Sequence, residues 1–194
     1  MIIRVAVFSS GAVLMALEIL AFLINAKTFG SAWREVTAVI AVFLAAMSSG
    51  YWVGGVWGDR YPRPITLVGA LAGAGVLVAL VPLIESPVLL AIFESRLPFA
   101  LHALTASALI YFGPVFLLAT TSPIAIRLLA RAVSQTGQTA GGIAALSTVG
   151  SIAGTMVTGF YLIDAFEVPK IIYLLGGLTL VMAALVGVIR RVEA

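Results

Sequence analysis

Six apolar runs, each long enough to cross a bilayer as a helix, constrain this chain more than any other feature. They fall at about residues 5–26, 36–57, 65–84, 99–118, 143–163 and 171–189. A helix needs about 20 mostly apolar residues to span the hydrocarbon core. Short polar or charged turns separate the runs, so successive spans must reverse direction. Composition agrees: 62% of residues are hydrophobic and 10% are charged, whereas a soluble domain carries about 25% charge. So little charge cannot coat a water-facing surface, so the solvent must be lipid. The expected fold is all-α: one polytopic domain over residues 1–194, with six transmembrane helices and two short interfacial segments. The start, Met1-Ile2-Ile3-Arg4 before an apolar run, has the form of a signal peptide. The sequence near Ala26 lacks a small-x-small cleavage site, so a retained first helix is expected.

The interfacial segments are read at 85–98 and 124–131. The first carries Glu85, Glu94 and Arg96 around a short apolar stretch. The second spaces Arg127 and Arg131 four apart among apolar residues, the pattern of a helix lying on the membrane surface. Residues 134–142 read as a loop.

Cations set the expected orientation. Arg4, Arg60, Arg63, Arg127, Arg131, Arg190 and Arg191 fall on one side, and Lys27, Arg34, Arg96 and Lys170 on the other. Cation-rich loops stay cytoplasmic. Both termini are therefore expected in the cytoplasm, with the chain in a bacterial inner (plasma) membrane. The basic balance could suggest nucleic acid, but the cations are dispersed over the turns, which excludes a nucleic-acid face.

Small residues recur at helical spacing. Ala46, Gly50, Gly54 and Gly58 share one face, and Ser147, Ser151, Thr155 and Gly159 share another, with Gly150 and Gly154 beside it. Such faces let helix backbones approach closely where lipid replaces water. Packing is their first reading, and a substrate-lined face on the fifth span is the second. The turn Gly58-Asp59-Arg60-Tyr61-Pro62-Arg63-Pro64 reverses the chain, since neither proline continues a helix. Asp59 and Arg60 are expected to pair with neighbouring helix ends, Arg127 among them.

Glu18 reads as the only acid well inside a span, on one face with Gly11 and Asn25. An acid at that depth costs about 2.5–3.5 kcal/mol on insertion scales, so it should face protein or a water pocket. It is either a binding or proton site or a satisfied acid that pins packing. Asn25, His102 and Tyr111 are the other candidate binding residues; His102 also reads as a hydrogen-bonded structural residue. The chain has no cysteine and one histidine, which excludes disulfides and the usual metal-ligand clusters. It carries no phosphate loop, nucleophile triad or paired membrane carboxylates. A non-enzyme with no cofactor and no metal is expected.

Five pieces occur in order: Met15-Ala16-Leu17-Glu18-Ile19-Leu20; Phe29-Gly30; Gly50-Tyr51-Trp52-Val53-Gly54-Gly55 with Asp59-Arg60; Thr121-Ser122-Pro123-Ile124-Ala125-Ile126-Arg127; and Leu146 through Thr155. Together they resemble the membrane domain fused to spermidine-synthase-like proteins, over nearly the whole chain. The turn holding Gly55, Asp59, Arg60 and Arg63 also resembles the corresponding loop of major facilitator transporters, of which six spans would be one half. The family's catalytic domain would follow Arg191, and this sequence stops at Ala194, so aminopropyl transfer is carried to no residue here. The resemblance implies a transporter-like half-bundle for a small solute, working as a homodimer or beside a separate soluble enzyme. The alternative is an accessory or structural subunit packed against a larger membrane complex.

Overall fold

The computed structural model describes residues 1–30, 33–130 and 136–192. It is an all-helical bundle with six helical segments long and apolar enough to cross a membrane. They are α1 (Ile2–Phe29), α2 (Trp33–Arg60), α3 (Pro64–Phe93), α4 (His102–Leu129), α5 (Thr136–Val157) and α7 (Val168–Val192). A 3-10 turn, Phe99–Leu101, leads into α4. α5 continues through a π-helical turn, Thr158–Leu162, into the single turn α6 (Ile163–Ala165).

The ends follow from local chemistry. Gly30 closes α1 at φ 92°, a left-handed conformation that glycine adopts without cost, and its N–H bonds the Ala26 carbonyl. Pro64 starts α3 at a position where its missing N–H would have been unpaired anyway. α4 runs through Pro114 and Pro123. The hydroxyls of Thr120 and Thr121 donate to the Leu117 and Leu118 carbonyls within the same helix.

Several expected boundaries move. The segment 85–93, expected at the interface, is the last part of α3, which runs through Pro82 and Pro87. Residues 124–129 likewise belong to α4 rather than to a separate surface helix; Arg131 lies outside the described residues. Residues 136–142, expected as loop, are the first turns of α5. The second span runs on through Gly58, Asp59 and Arg60, and the break falls at 61–63. In each case the helix runs past the roughly 20 residues needed to span, and in α2 the prolines at 62 and 64 then end it. These extensions also place Glu85 within a spanning helix, so Glu18 is not the only acid there.

Packing follows a pattern that repeats within the chain. α1 lies along α5, α2 along α4, and α3 against α7 and α4. Gly150 and Gly154 of α5 sit against the backbone of Phe8 and Ala12 in α1; Gly50 and Gly54 of α2 sit against Phe116 and Thr120 in α4. Gly75 of α3 meets Leu180 of α7, and Gly176 of α7 meets Ala79 of α3. Exchanging α1, α2 and α3 with α4, α5 and α7 therefore maps this packing onto itself. Three helices per unit make the two units run in opposite directions, the inverted-repeat design of many membrane transport folds. The alternation of direction is consistent throughout: α1 runs with α5, α2 with α4, and α3 against α7.

Candidate functional site

The repeat places a groove on its own pseudo-symmetry axis. Met47 and Tyr51 of α2 line one wall, and their repeat mates Ser147 and Ser151 of α5 line the other. Ser122, Pro123 and Ile126 of α4 form the floor, and Thr148 stands at the rim. The volume is about 420 Å³. A narrow extension reaches Ser10, Gly11 and Thr121. Ser147 and Ser151 lie close to the middle of the helical segment Thr136–Ala165, and Ser122, Pro123 and Ile126 lie in the last turns of Phe99–Leu129, so the groove runs from about the middle of α5 toward the end of α4. The side chains lining it are hydroxyl-bearing or apolar, and none is charged.

The expected packing residues divide by role. Gly50 and Gly54 press on the α4 backbone so closely that no methyl group fits, whereas Gly55 faces open space. Ser151 donates a hydrogen bond to the Gly11 carbonyl at 3.3 Å, across to α1. Thr155 bonds only within its helix, to the Ser151 carbonyl. Ser147 faces Gly11, where a side chain would collide with its backbone.

The turn residues gather at one end. Arg127 at the close of α4 bonds Asp59 at the close of α2 at 3.1 Å. Arg60 lies over the Tyr61 ring, 5.6 Å from its centroid. Arg63 stands at the N-cap of α3 without a side-chain capping bond. The Asp59–Arg127 pair is exposed, so it ties the two helix ends while contributing about 0–1 kcal/mol.

The four expected binding residues do not form one site. Glu18 is half-buried and makes no hydrogen bond or ion pair with a described residue. Since Phe8 and Ala12 pair with Gly150 and Gly154, Glu18 stands near the level of the π turn Thr158–Leu162, which touches α1. Asn25, on the same helix, turns instead to α4. Its amide nitrogen donates to the Ala21 carbonyl at 2.9 Å and to the Ser107 hydroxyl at 3.3 Å. His102 shares an Nε2 hydrogen bond with the Leu97 carbonyl at 3.0 Å and packs between Phe29 and Phe99. A carbonyl only accepts, so Nε2 carries the proton. Tyr111 is fully buried against Phe43.

A second polar region brings Asn25, His102 and Tyr111 into the same half of the bundle as Glu35 and Glu85, two acids not singled out as site residues in the sequence. Among the described residues, the buried side-chain atoms without a hydrogen-bond partner are Asn25 Oδ1, Glu35 Oε2, Glu85 Oε2, His102 Nδ1 and Tyr111 Oη. All lie in the half of the bundle where α1 meets α2 and α3 meets α4. Glu35 and Glu85 were missed for one reason: both flank an apolar run, where an acid reads as part of a turn. Helix lengths beyond the minimum span bring them inside.

Comparison of the chain with protein-family models, curated proteins and solved structures finds no match.

Proposed function

We propose that the chain is a half-transporter-type membrane module that binds a small solute in the groove between α2 and α5. The observation that carries this reading is the groove's position on the internal pseudo-symmetry axis. Inverted-repeat transporters place substrate between their repeats near the bilayer midplane. Hydroxyls from Tyr51, Ser122, Ser147 and Ser151 against Met47 and Ile126 suit a small, uncharged solute with a hydrogen-bonding end and an apolar body. A second copy facing the groove would complete a twelve-helix arrangement, and the ordered sequence pieces shared with the spermidine-synthase-associated membrane domain point the same way. The excess of cations on the turns of one side supports cytoplasmic termini, in an inner (plasma) membrane.

One observation favours the accessory-subunit reading. α5 is the least buried of the spanning helices. It presents Val149, Ile152, Met156 and Val157, with Phe160 beyond, away from the bundle. Such a face fits a larger protein partner as well as lipid.

The chain has no cysteine, so single cysteines report on the groove directly. In native membranes, Ser151→Cys and Met47→Cys should react with a water-soluble maleimide, while Ile152→Cys on the outer face of α5 should not. No labelling at either groove position would remove the solute reading. Native mass in mild detergent then separates a homodimer from a complex with a larger partner.

A further inference from the structure

We infer that the face formed by α2, the groove and α5 is the interface of a two-fold dimer of this chain, in which each α2 packs on its partner's α5 and Arg34 pairs with the partner subunit's Asp164. The dimer names what closes the proposed groove from the side, and for that role it rests on the solute reading. The contacts themselves do not.

α2 and α5 are the two least buried of the six spanning helices. They flank the groove and barely touch each other, so its outer side is left open. Met47 and Tyr51 of α2 and Ser147 and Ser151 of α5 line its two walls at one level. The two helices run in opposite directions and rise about 1.5 Å per residue. Counting away from that level, toward the start of α2 and the end of α5, Leu44 matches the depth of Thr155, Ile40 that of Gly159, and Arg34 that of Asp164.

Shape supplies the first match. Ile40, Leu44 and Tyr51 recur at helical spacing and are exposed, a ridge of large side chains along one rim of the groove. On the other rim Thr148, Thr155 and Gly159 recur at the same spacing. Thr148 is exposed, and a methyl group at Gly159 would meet nothing within 4 Å, so this rim is a shallow recess. A half-turn about an axis through the groove mouth, along the membrane normal, sets each ridge on the partner's recess: Tyr51 on Thr148, Leu44 on Thr155, Ile40 on Gly159. Small faces of this kind let helices approach closely in lipid.

Charge supplies the second match. Arg34 and Asp164 are both exposed, and neither forms an ion pair among the described residues. The nearby Glu167 is already paired with Lys170. From 36 to 58 and from 136 to 163 neither helix carries a charge, so nothing on the face repels its copy. In a two-fold interface residue i meets j while j meets i. One face must then carry both members of every contact, and this one carries ridge and recess, cation and anion, at matching depths. A different protein would not require that reciprocity, and lipid would match neither feature.

The test uses the full chain in lipid bilayers. Singly labelled chains, counted by photobleaching, should pass from monomers to dimers as their density rises. The chain has no cysteine, so co-expressed Leu44→Cys and Thr155→Cys chains should link to each other on mild oxidation more readily than either links to itself. Arg34→Glu should weaken the dimer by about tenfold, and adding Asp164→Arg to the same chain should restore it. Gly159→Trp fills the recess without touching a charge and should hold the chain monomeric; it keeps the test decisive if the charge variants do not insert. Monomers at every density overturn the inference. So do Leu44→Cys chains linking to themselves as readily as to Thr155→Cys, an unchanged dimer in Gly159→Trp, or a native mass showing one copy bound to a different protein. Monomers whose groove cysteines still react with maleimide would overturn the dimer and leave the solute reading. Cross-linked dimers without that reaction would support the dimer and remove the solute reading.

Discussion

Replacing Gly54 with alanine tests a close helix–helix contact and the internal repeat at once. A methyl carbon built at Gly54 lies 2.7 Å from the Thr120 Cα, the Thr120 carbonyl oxygen and Pro123 Cγ. Comfortable carbon contacts fall near 3.5–4.0 Å, so the overlap is about an ångström. Two of the three atoms belong to the α4 backbone and cannot rotate aside. Overpacking of this kind typically costs about 1–3 kcal/mol, occasionally more, and backbone neighbours place Gly54→Ala at the upper end. The neighbouring Gly55 faces nothing within 4 Å. Alanine there should be neutral or gain about 0.5–1 kcal/mol from reduced backbone freedom in the unfolded chain. The two variants differ by one sequence position and the same added atoms, so their stability should differ by about 3 kcal/mol, roughly a hundredfold in the unfolding equilibrium. Reversible unfolding in mixed micelles, followed by circular dichroism, measures this directly. The repeat adds a second condition: Gly154 presses on Ala12 as Gly54 presses on Thr120, so Gly154→Ala should resemble Gly54→Ala. Equal stability of the Gly54 and Gly55 variants would refute the packing, and a harmless Gly154→Ala would refute the symmetry.

Tyr111→Phe removes a fully buried hydroxyl that has no hydrogen-bond partner, so the same unfolding assay should show unchanged or higher stability, by up to about 1 kcal/mol; a clear loss would reveal a bond that the hydroxyl makes. Asp59→Asn breaks an exposed pair with Arg127, and its melting shift should stay within about 1 kcal/mol, shrinking further in high salt. Glu18→Gln should fold, because the carboxylate makes no bond that the fold depends on; measured in liposomes, loss of solute or proton flux by folded protein would assign Glu18 to transport, and intact flux would make it structural. Reporter fusions at Ser95, between α3 and α4, and after Val192 should give opposite signals, with the C-terminal one cytoplasmic; a matching pair would overturn the six-span topology.

Much of the architecture is written locally and is legible in order along the chain. Apolar runs of spanning length fix the number of helices, because lipid leaves backbone groups no partner outside the helix. Gly30 and the Pro62–Pro64 turn fix where the chain reverses, and the spacing of Gly50 and Gly54 marks a face meant for close approach. What remained hidden depends on which helix lies opposite. The Gly50/Gly54 and Gly150/Gly154 spacings are visible in the sequence, but only their partners Phe116, Thr120, Phe8 and Ala12 show that they are the same contact made twice. Periodicity finds a packing face; it does not identify the neighbour. Glu18 drew attention because it interrupts an apolar run, and in the fold it stands apart from Asn25, which turns to Ser107 on α4. Glu35 and Glu85 sit at the margins of their runs, where sequence reads an acid as solvated. Helices longer than the minimum span carry them inward, and only the packing of the bundle buries one oxygen of each, in the same half as Asn25 and Tyr111. Span number and turn position follow from the solvent, which acts on each residue separately; the groove and the polar cluster follow from side chains far apart in the chain, and those meet only in the folded bundle.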